Sequence, residues 1–313
     1  MPDVEIDTMV VTNDGRTPIT DVIVGIAMMI VSVICGIAYT FILSIIFKDK
    51  ELLRLSSYRL MFALGCFDVV QCFPHFMTGI FTIYQSTFSY IFGKCMGVIA
   101  TPFYVAYAVL TVILSFNRLV QLANPSVESL LFGGSKVYIW IGISTLICTM
   151  FMVALASPWA TIIYLPDWYS WEYDNTLRYS HIVQEIEMFI EIGGIFVSAA
   201  FYAVIIVLLF RTKKRFMVSK THTMEIKVLI QASVVTVYCT VLNVFWHNYE
   251  TLLPVSLWSY MALNFMWIFN CGIYPMIYFI VNKSFREKLV KSRTTTLDAV
   301  SVFIRTNRVS TVM

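Results

Sequence analysis

Long uncharged apolar stretches alternate with short polar ones along most of the chain. A spanning helix needs roughly 20 apolar residues to cross a bilayer core about 30 Å thick. Seven stretches reach that length, at 22–47, 60–84, 96–117, 137–165, 188–210, 228–249 and 254–281. They are apolar on every side and lack the ten-residue alternation of a membrane strand. The pattern predicts an all-α membrane protein, a seven-transmembrane helix bundle over 22–281. An N-terminal segment, 1–21, precedes it and a tail, 282–313, follows. In that tail Phe285, Leu289 and Val290 alternate with Arg286, Lys288 and Lys291, which predicts a short amphipathic helix along the membrane surface.

Composition agrees with burial in lipid. Apolar types make up 58% of the 313 residues and charged types 13%, against about 25% charged in soluble domains. Net charge, at +3, adds little, but the placement of charge decides the orientation. Nineteen of the 22 Lys and Arg lie in or beside the loops after the first, third and fifth stretches, or in the tail. Arg16, Lys94 and Arg178 are the exceptions. By the positive-inside rule the N-terminus is outside and the C-terminus cytoplasmic. Six of the seven cysteines fall inside apolar runs and Cys95 at an edge, which predicts packing residues rather than a disulfide framework.

The longest outer loop, between the fourth and fifth stretches, carries Asp167, Glu172, Asp174, Glu185 and Glu187 with Trp168, Tyr169, Trp171 and Tyr173. The aromatics read either as an interfacial belt anchoring helix ends or as a lid contributing contacts to a ligand. Charge inside the stretches is scarce, and such residues usually face the bundle interior. Asp68 lies some nine residues into the second stretch, about 13 Å at 1.5 Å per residue. It is either interhelical glue, a cation site or part of a switch. Arg118 closes the third stretch at the inner mouth, and Glu191, near the outer end of the fifth, is expected to snorkel. Pro275 is the one marked helix break. Ser32 with Gly36, and Gly194 with Ser198, have the spacing of helix-packing contacts.

No enzyme constellation appears. His75, His181, His222 and His247 are scattered over both sides without metal-ligand spacing, so no metal or other cofactor is expected, and nothing points to nucleic acid. A retinal Schiff base needs a lysine in the seventh stretch, which has none. Transporters usually show internal repeats and paired broken helices; a transporter or ligand-gated channel subunit stays open as the alternative.

Three groups of residues carry a resemblance. The first is Ser57-Tyr58-Arg59-Leu60-Met61-Phe62-Ala63-Leu64-Gly65 with Asp68. The second is Asn117-Arg118 through Asn124-Pro125 to Leu131-Phe132-Gly133-Gly134 and Trp140. The third is Tyr274-Pro275-Met276-Ile277-Tyr278 with Asn282-Lys283. In this order, over residues 22–291, they resemble the nematode serpentine receptors of class T, within the rhodopsin-like G-protein-coupled receptors. The resemblance implies a chemosensory receptor in the plasma membrane of sensory cells, relaying a small-molecule or peptide ligand to a heterotrimeric G protein. Arg118 is then similar to the arginine of the Asp-Arg-Tyr motif, Asp68 to the aspartate of the helix 2 sodium network, and Pro275 with Tyr278 to the helix 7 switch. The sequence departs from the family pattern at Asn117, where an acid is usual, at Leu119, where a tyrosine is usual, and at Tyr274, where an asparagine is usual. The helix 3 to outer-loop disulfide is also missing. Tyr104, Tyr107, Trp246, His247 and Trp267 are the candidate pocket residues. The basic 211–227 loop is expected to meet the G protein or anionic membrane lipid.

Overall fold

The computed structural model describes residues 16–213 and 220–281. The expected amphipathic helix and most of the 1–21 segment lie outside the described residues. Within them, seven long helices are present: α1 (Pro18–Lys48), α2 (Ser56–Tyr84), α3 (Tyr90–Ala123), α5 (Val137–Ala156), α6 (Ser180–Lys213), α7 (Lys220–His247) and α9 (Leu257–Val281). Two short ones, α4 (Pro125–Phe132) and α8 (Tyr249–Leu252), sit in connections. Five of the long helices, α1, α2, α3, α5 and α6, are each long and apolar enough to cross a membrane. α9 adds 25 residues, about 37 Å at 1.5 Å per residue.

Helix starts follow from local chemistry. Thr17 caps α1 through a reciprocal bond with Thr20, with Pro18 in the first turn. Ser89 caps α3 by accepting from the Phe92 amide at 3.2 Å. Asn124 caps α4 through the Ser126 amide at 3.1 Å. The long helices pack in chain order around a ring, and α9 returns to lie against α1. α3 is the central rod, touching α2, α5, α6 and α4. A Ser115–Ser198 hydroxyl contact of 3.4 Å joins it to α6, so Ser198 does act in helix packing.

Gly25 of α1 and Gly79 of α2, however, bring two helix backbones close together. A methyl group on either residue would strike the other's carbonyl oxygen. Gly79→Ala is therefore expected to lower stability by about 1–3 kcal/mol. Gly142→Ala, with no atom within 4 Å of its added carbon, should be neutral or gain up to about 1 kcal/mol. Thermal unfolding of the two purified variants checks this.

The structure corrects several sequence expectations. The fourth stretch does not stay helical to 165, because α5 ends at Ala156 and its last residues form strand β1 (Ile162–Leu165). β1 pairs antiparallel with β2 (Ser170–Tyr173), aligning Ile162 with Tyr173 and Tyr164 with Trp171. α6 starts at Ser180 rather than 188, so Glu185 and Glu187 are helical, not loop, residues. α1 likewise starts before 22. α2 begins at Ser56, which puts Asp68 twelve residues in, about 18 Å at 1.5 Å per residue. Pro275 does not break its helix, since α9 continues through it, and it is not alone in this, because Pro74 and Pro102 also lie inside α2 and α3. Cys95 lies within α3 rather than at its edge.

Candidate functional site

The two ends of the bundle differ in kind. At one end the β1–β2 hairpin folds down between the helices. At the other lie Arg54, Arg59, Arg118 and Lys136 with the start of α4. These are the hairpin end and the basic end.

Strand alternation puts Ile162, Tyr164, Trp171 and Tyr173 on the buried face of the hairpin and Glu172 on the exposed face. Trp171 donates its indole N–H to Thr78 Oγ1 of α2 at 3.2 Å. Tyr164 bonds Thr82 Oγ1 of the same helix at 2.6 Å, and the two rings pack 5.5 Å apart. Tyr169, in a left-handed turn at φ 52°, donates to Asp21 of α1 and accepts from Asn264 Nδ2 of α9 at 2.9 Å. Burial, together with the neighbouring Asp21 carboxylate, pushes the Tyr169 phenol up to about 12 and keeps it a donor. Arg16 completes the corner, pairing with Asp21 at 3.0 Å and Asp167 at 2.9 Å. On α3, Gly97 leaves room for the Ile162 carbonyl, which any side chain there would strike. Lys94 donates to the Ser157 carbonyl. Hydrogen bonds and one glycine thus hold the loop where the family pattern has a disulfide. Tyr169, Trp171 and Tyr173 are buried in the bundle, so they are not an interfacial belt.

Below the hairpin the five candidate pocket residues come together. Tyr104 and Tyr107 of α3 stack at 6.0 Å. Tyr104 meets Trp267 of α9 at 5.8 Å, and Trp267 meets Trp246 of α7 at 5.1 Å. His247 Nε2 lies 2.9 Å from Glu191 Oε2 of α6. Glu191 is 1% exposed, so it does not snorkel. The sequence reading also missed Glu187, which accepts from Tyr173 of the hairpin, Asn243, which accepts from Tyr104 at 2.6 Å, and His75, edge-on to Trp267 at 4.9 Å. The signal was the i, i+4 spacing of Glu187 and Glu191, which sets two carboxylates on one helix face.

The residues assigned to coupling divide into two groups. Asp68 is fully buried in mid-bundle. Tyr274 lies edge-on to Tyr107 at 6.3 Å. Pro275 lines a small cavity with Tyr39, Met61 and Leu64, and the Tyr278 side chain is outside the described residues. At the basic end, Asn117 Nδ2 donates to Ser56 Oγ at 3.0 Å and to Glu128 of α4 at 3.5 Å. Arg118 Nη2 reaches Met61 Sδ at 3.4 Å, and its Nε has no hydrogen-bond partner among the described residues. Other motif residues of this end bond to one another and to their loops. Arg59 donates to the Leu53 and Arg54 carbonyls at 2.6 and 3.0 Å and also to the Gly134 carbonyl. Trp140 donates to the Leu131 carbonyl at 3.1 Å and stacks on Phe132 at 5.2 Å.

The family model of the serpentine type 7TM GPCR chemoreceptor Srt matches residues 11–299. The chain belongs to the Srt family. This Srt receptor is accordingly a multi-pass membrane protein of the chemosensory, G-protein-coupled-receptor type. Its fold is similar to that in a crystal structure of squid rhodopsin, with a TM-score of 0.69 at 16% identity, covering 90% of this chain and 87% of that one. No curated protein matches the sequence. In the Srt receptor the residues around Arg59, Asn117 and Trp140 thus brace the basic end, Asp68 and Tyr274 lie in mid-bundle, and the remaining aromatic and acidic residues fill the space beneath the hairpin.

Proposed function

We propose that the hairpin end faces outward in the plasma membrane of a sensory cell. An external small-molecule or peptide ligand enters there, and the basic end meets a heterotrimeric G protein. The charge bias of the loops supports this orientation. The observation that carries the reading is the aromatic cluster of Tyr104, Tyr107, Trp246 and Trp267, roofed by the hairpin and adjoining His247. A ligand binding there works against contacts among α3, α6, α7 and α9 together.

The mechanism is a population shift between two bundle arrangements. A nearly complete switch asks the ligand to favour the active arrangement by about 5.5 kcal/mol. At the basic end the Asn117–Ser56–Glu128 bonds replace an ionic restraint on the arginine, which leaves Arg118 with a weak thioether contact. Asp68, Tyr274 and Pro275 lie between the two ends and act as the switch region; Tyr278 takes the role the family assigns to it.

The test is a ligand screen in cells carrying several G-protein reporters, with ion flux recorded in parallel. Ligand-driven nucleotide exchange is the expected result. Ligand-gated current without exchange would replace this reading with the channel alternative.

A further inference from the structure

Glu187 and Glu191 are 3% and 1% exposed, and among the described residues the basic group bonded to either is His247. Among the described residues no Lys or Arg pairs with them. Fully ionised, the cluster carries two negative charges against one positive. Burying an unmatched charge is costly, and a cation that pairs closely and hydrogen-bonds with it offsets that cost. The polar atoms around it are also incompletely used. Glu187 and Glu191 lie within side-chain hydrogen-bond reach of each other, a contact that bonds only when one carboxyl holds a proton; with both ionised, Glu191 Oε1 has no donor, and Trp267 Nε1 has no acceptor, among the described residues.

Both side chains line cavities. Glu191 borders one of about 30 Å³ with Tyr104, Tyr107 and Asn243. Glu187 borders a second, of about 10 Å³, with Tyr104, Trp246 and Trp267. Tyr104 and Asn243, joined by a 2.6 Å hydrogen bond, line both cavities, so the two carboxylates and the aromatic faces of Tyr104, Trp246 and Trp267 surround one divided space. Aromatic faces attract cations electrostatically, most strongly where water is excluded.

We propose that this space takes the protonated amine of the ligand. The ammonium sits against Glu191 Oε1 and Glu187, between the faces of Tyr104, Trp246 and Trp267, and the rest of the ligand extends toward the hairpin. This assignment rests on the receptor reading above and narrows it to a ligand class, alkylammonium compounds.

The experiment uses the full-length receptor purified in lipid nanodiscs, with isoamylamine as probe and isoamyl alcohol as its neutral isostere. Melting temperature is followed against probe concentration at pH 7, and no G protein is present. The expected result is saturable stabilisation by the amine and none by the alcohol. Glu191→Gln should weaken amine binding at least tenfold, whereas Glu185→Gln, on an exposed position of the same helix, should bind like the parent. Equal effects of amine and alcohol, no effect of either, or unchanged amine binding by Glu191→Gln would each overturn the proposal. Should Glu191→Gln not fold, the amine-against-alcohol comparison on the parent decides alone. Because the measurement contains no G protein, failure here leaves the signalling reading standing. Failure of nucleotide exchange in its turn leaves amine binding standing.

Discussion

Arg118→Ala is expected to abolish ligand-driven nucleotide exchange while surface expression stays at the parent level. Arg118 lies in the last turns of α3, which runs on to Ala123, among the braces of the basic end, yet it is committed to little. One guanidinium nitrogen meets the Met61 sulfur at 3.4 Å, and Nε is without a hydrogen-bond partner among the described residues. Hydrogen bonds from charged groups contribute about 1.5–3 kcal/mol, and a thioether is a weak acceptor. Removing the side chain should therefore cost the fold little and coupling a great deal. Agonist-stimulated GTP binding in membranes, normalised to surface receptor, is the measurement. Arg178→Ala is the control, since that arginine stacks over Tyr179 at the opposite end, 5.2 Å from the ring. Parent-level exchange by Arg118→Ala would remove the residue from the mechanism.

The second large effect is structural. Trp171→Ala should destabilise the receptor by about 3–5 kcal/mol, the range for truncating a buried tryptophan. The indole fills the space between the hairpin and α2, packs on Tyr164 and holds Thr78 through its N–H. Trp171→Phe keeps most of the packing and loses the hydrogen bond, so it should cost about 1 kcal/mol for the bond plus a smaller packing loss. Thermal unfolding of the purified variants separates the two. Trp159→Ala, at a 59% exposed site just before the hairpin, provides the baseline. A melting temperature for Trp171→Ala no lower than that baseline would mean that the hairpin is not a structural part of the bundle.

The contrast between Trp159 and Trp171 illustrates what the sequence conceals. Both are tryptophans in the same polar-to-apolar transition, and interfacial anchoring suits either of them. Only the strand pairing, which sets Trp171 opposite Tyr164, turns one inward. The hairpin itself was illegible for a related reason. Ile162–Leu165 is an apolar run continuous with the preceding span, and a short apolar run does not distinguish buried strand from helix. Charge read as the edge of a span leaves Glu187 in the outer loop, and closeness to that edge makes Glu191, just inside the span, a snorkelling residue. A carboxylate ends a span when it faces lipid, but it can sit inside one when a neighbouring element supplies a partner, as His247 of α7 and Tyr173 of the hairpin do. Asp68 was legible as an inward residue because it stands alone in its span, where lipid exposure would be prohibitive.

The sequence by itself determined that seven helices form, roughly where they lie, and the family to which their motifs belong. Those features are local: the bilayer's demand for internally bonded backbone is met residue by residue, and motif spacing is read along the chain. The tertiary structure alone decided that a loop hairpin fills the mouth of the bundle, that Gly25 meets Gly79, and that two glutamates share a buried space with a histidine from another helix. Each of these joins residues far apart in the chain, and which partner a side chain finds depends on how the helices are rotated about their axes, a quantity that hydropathy does not encode.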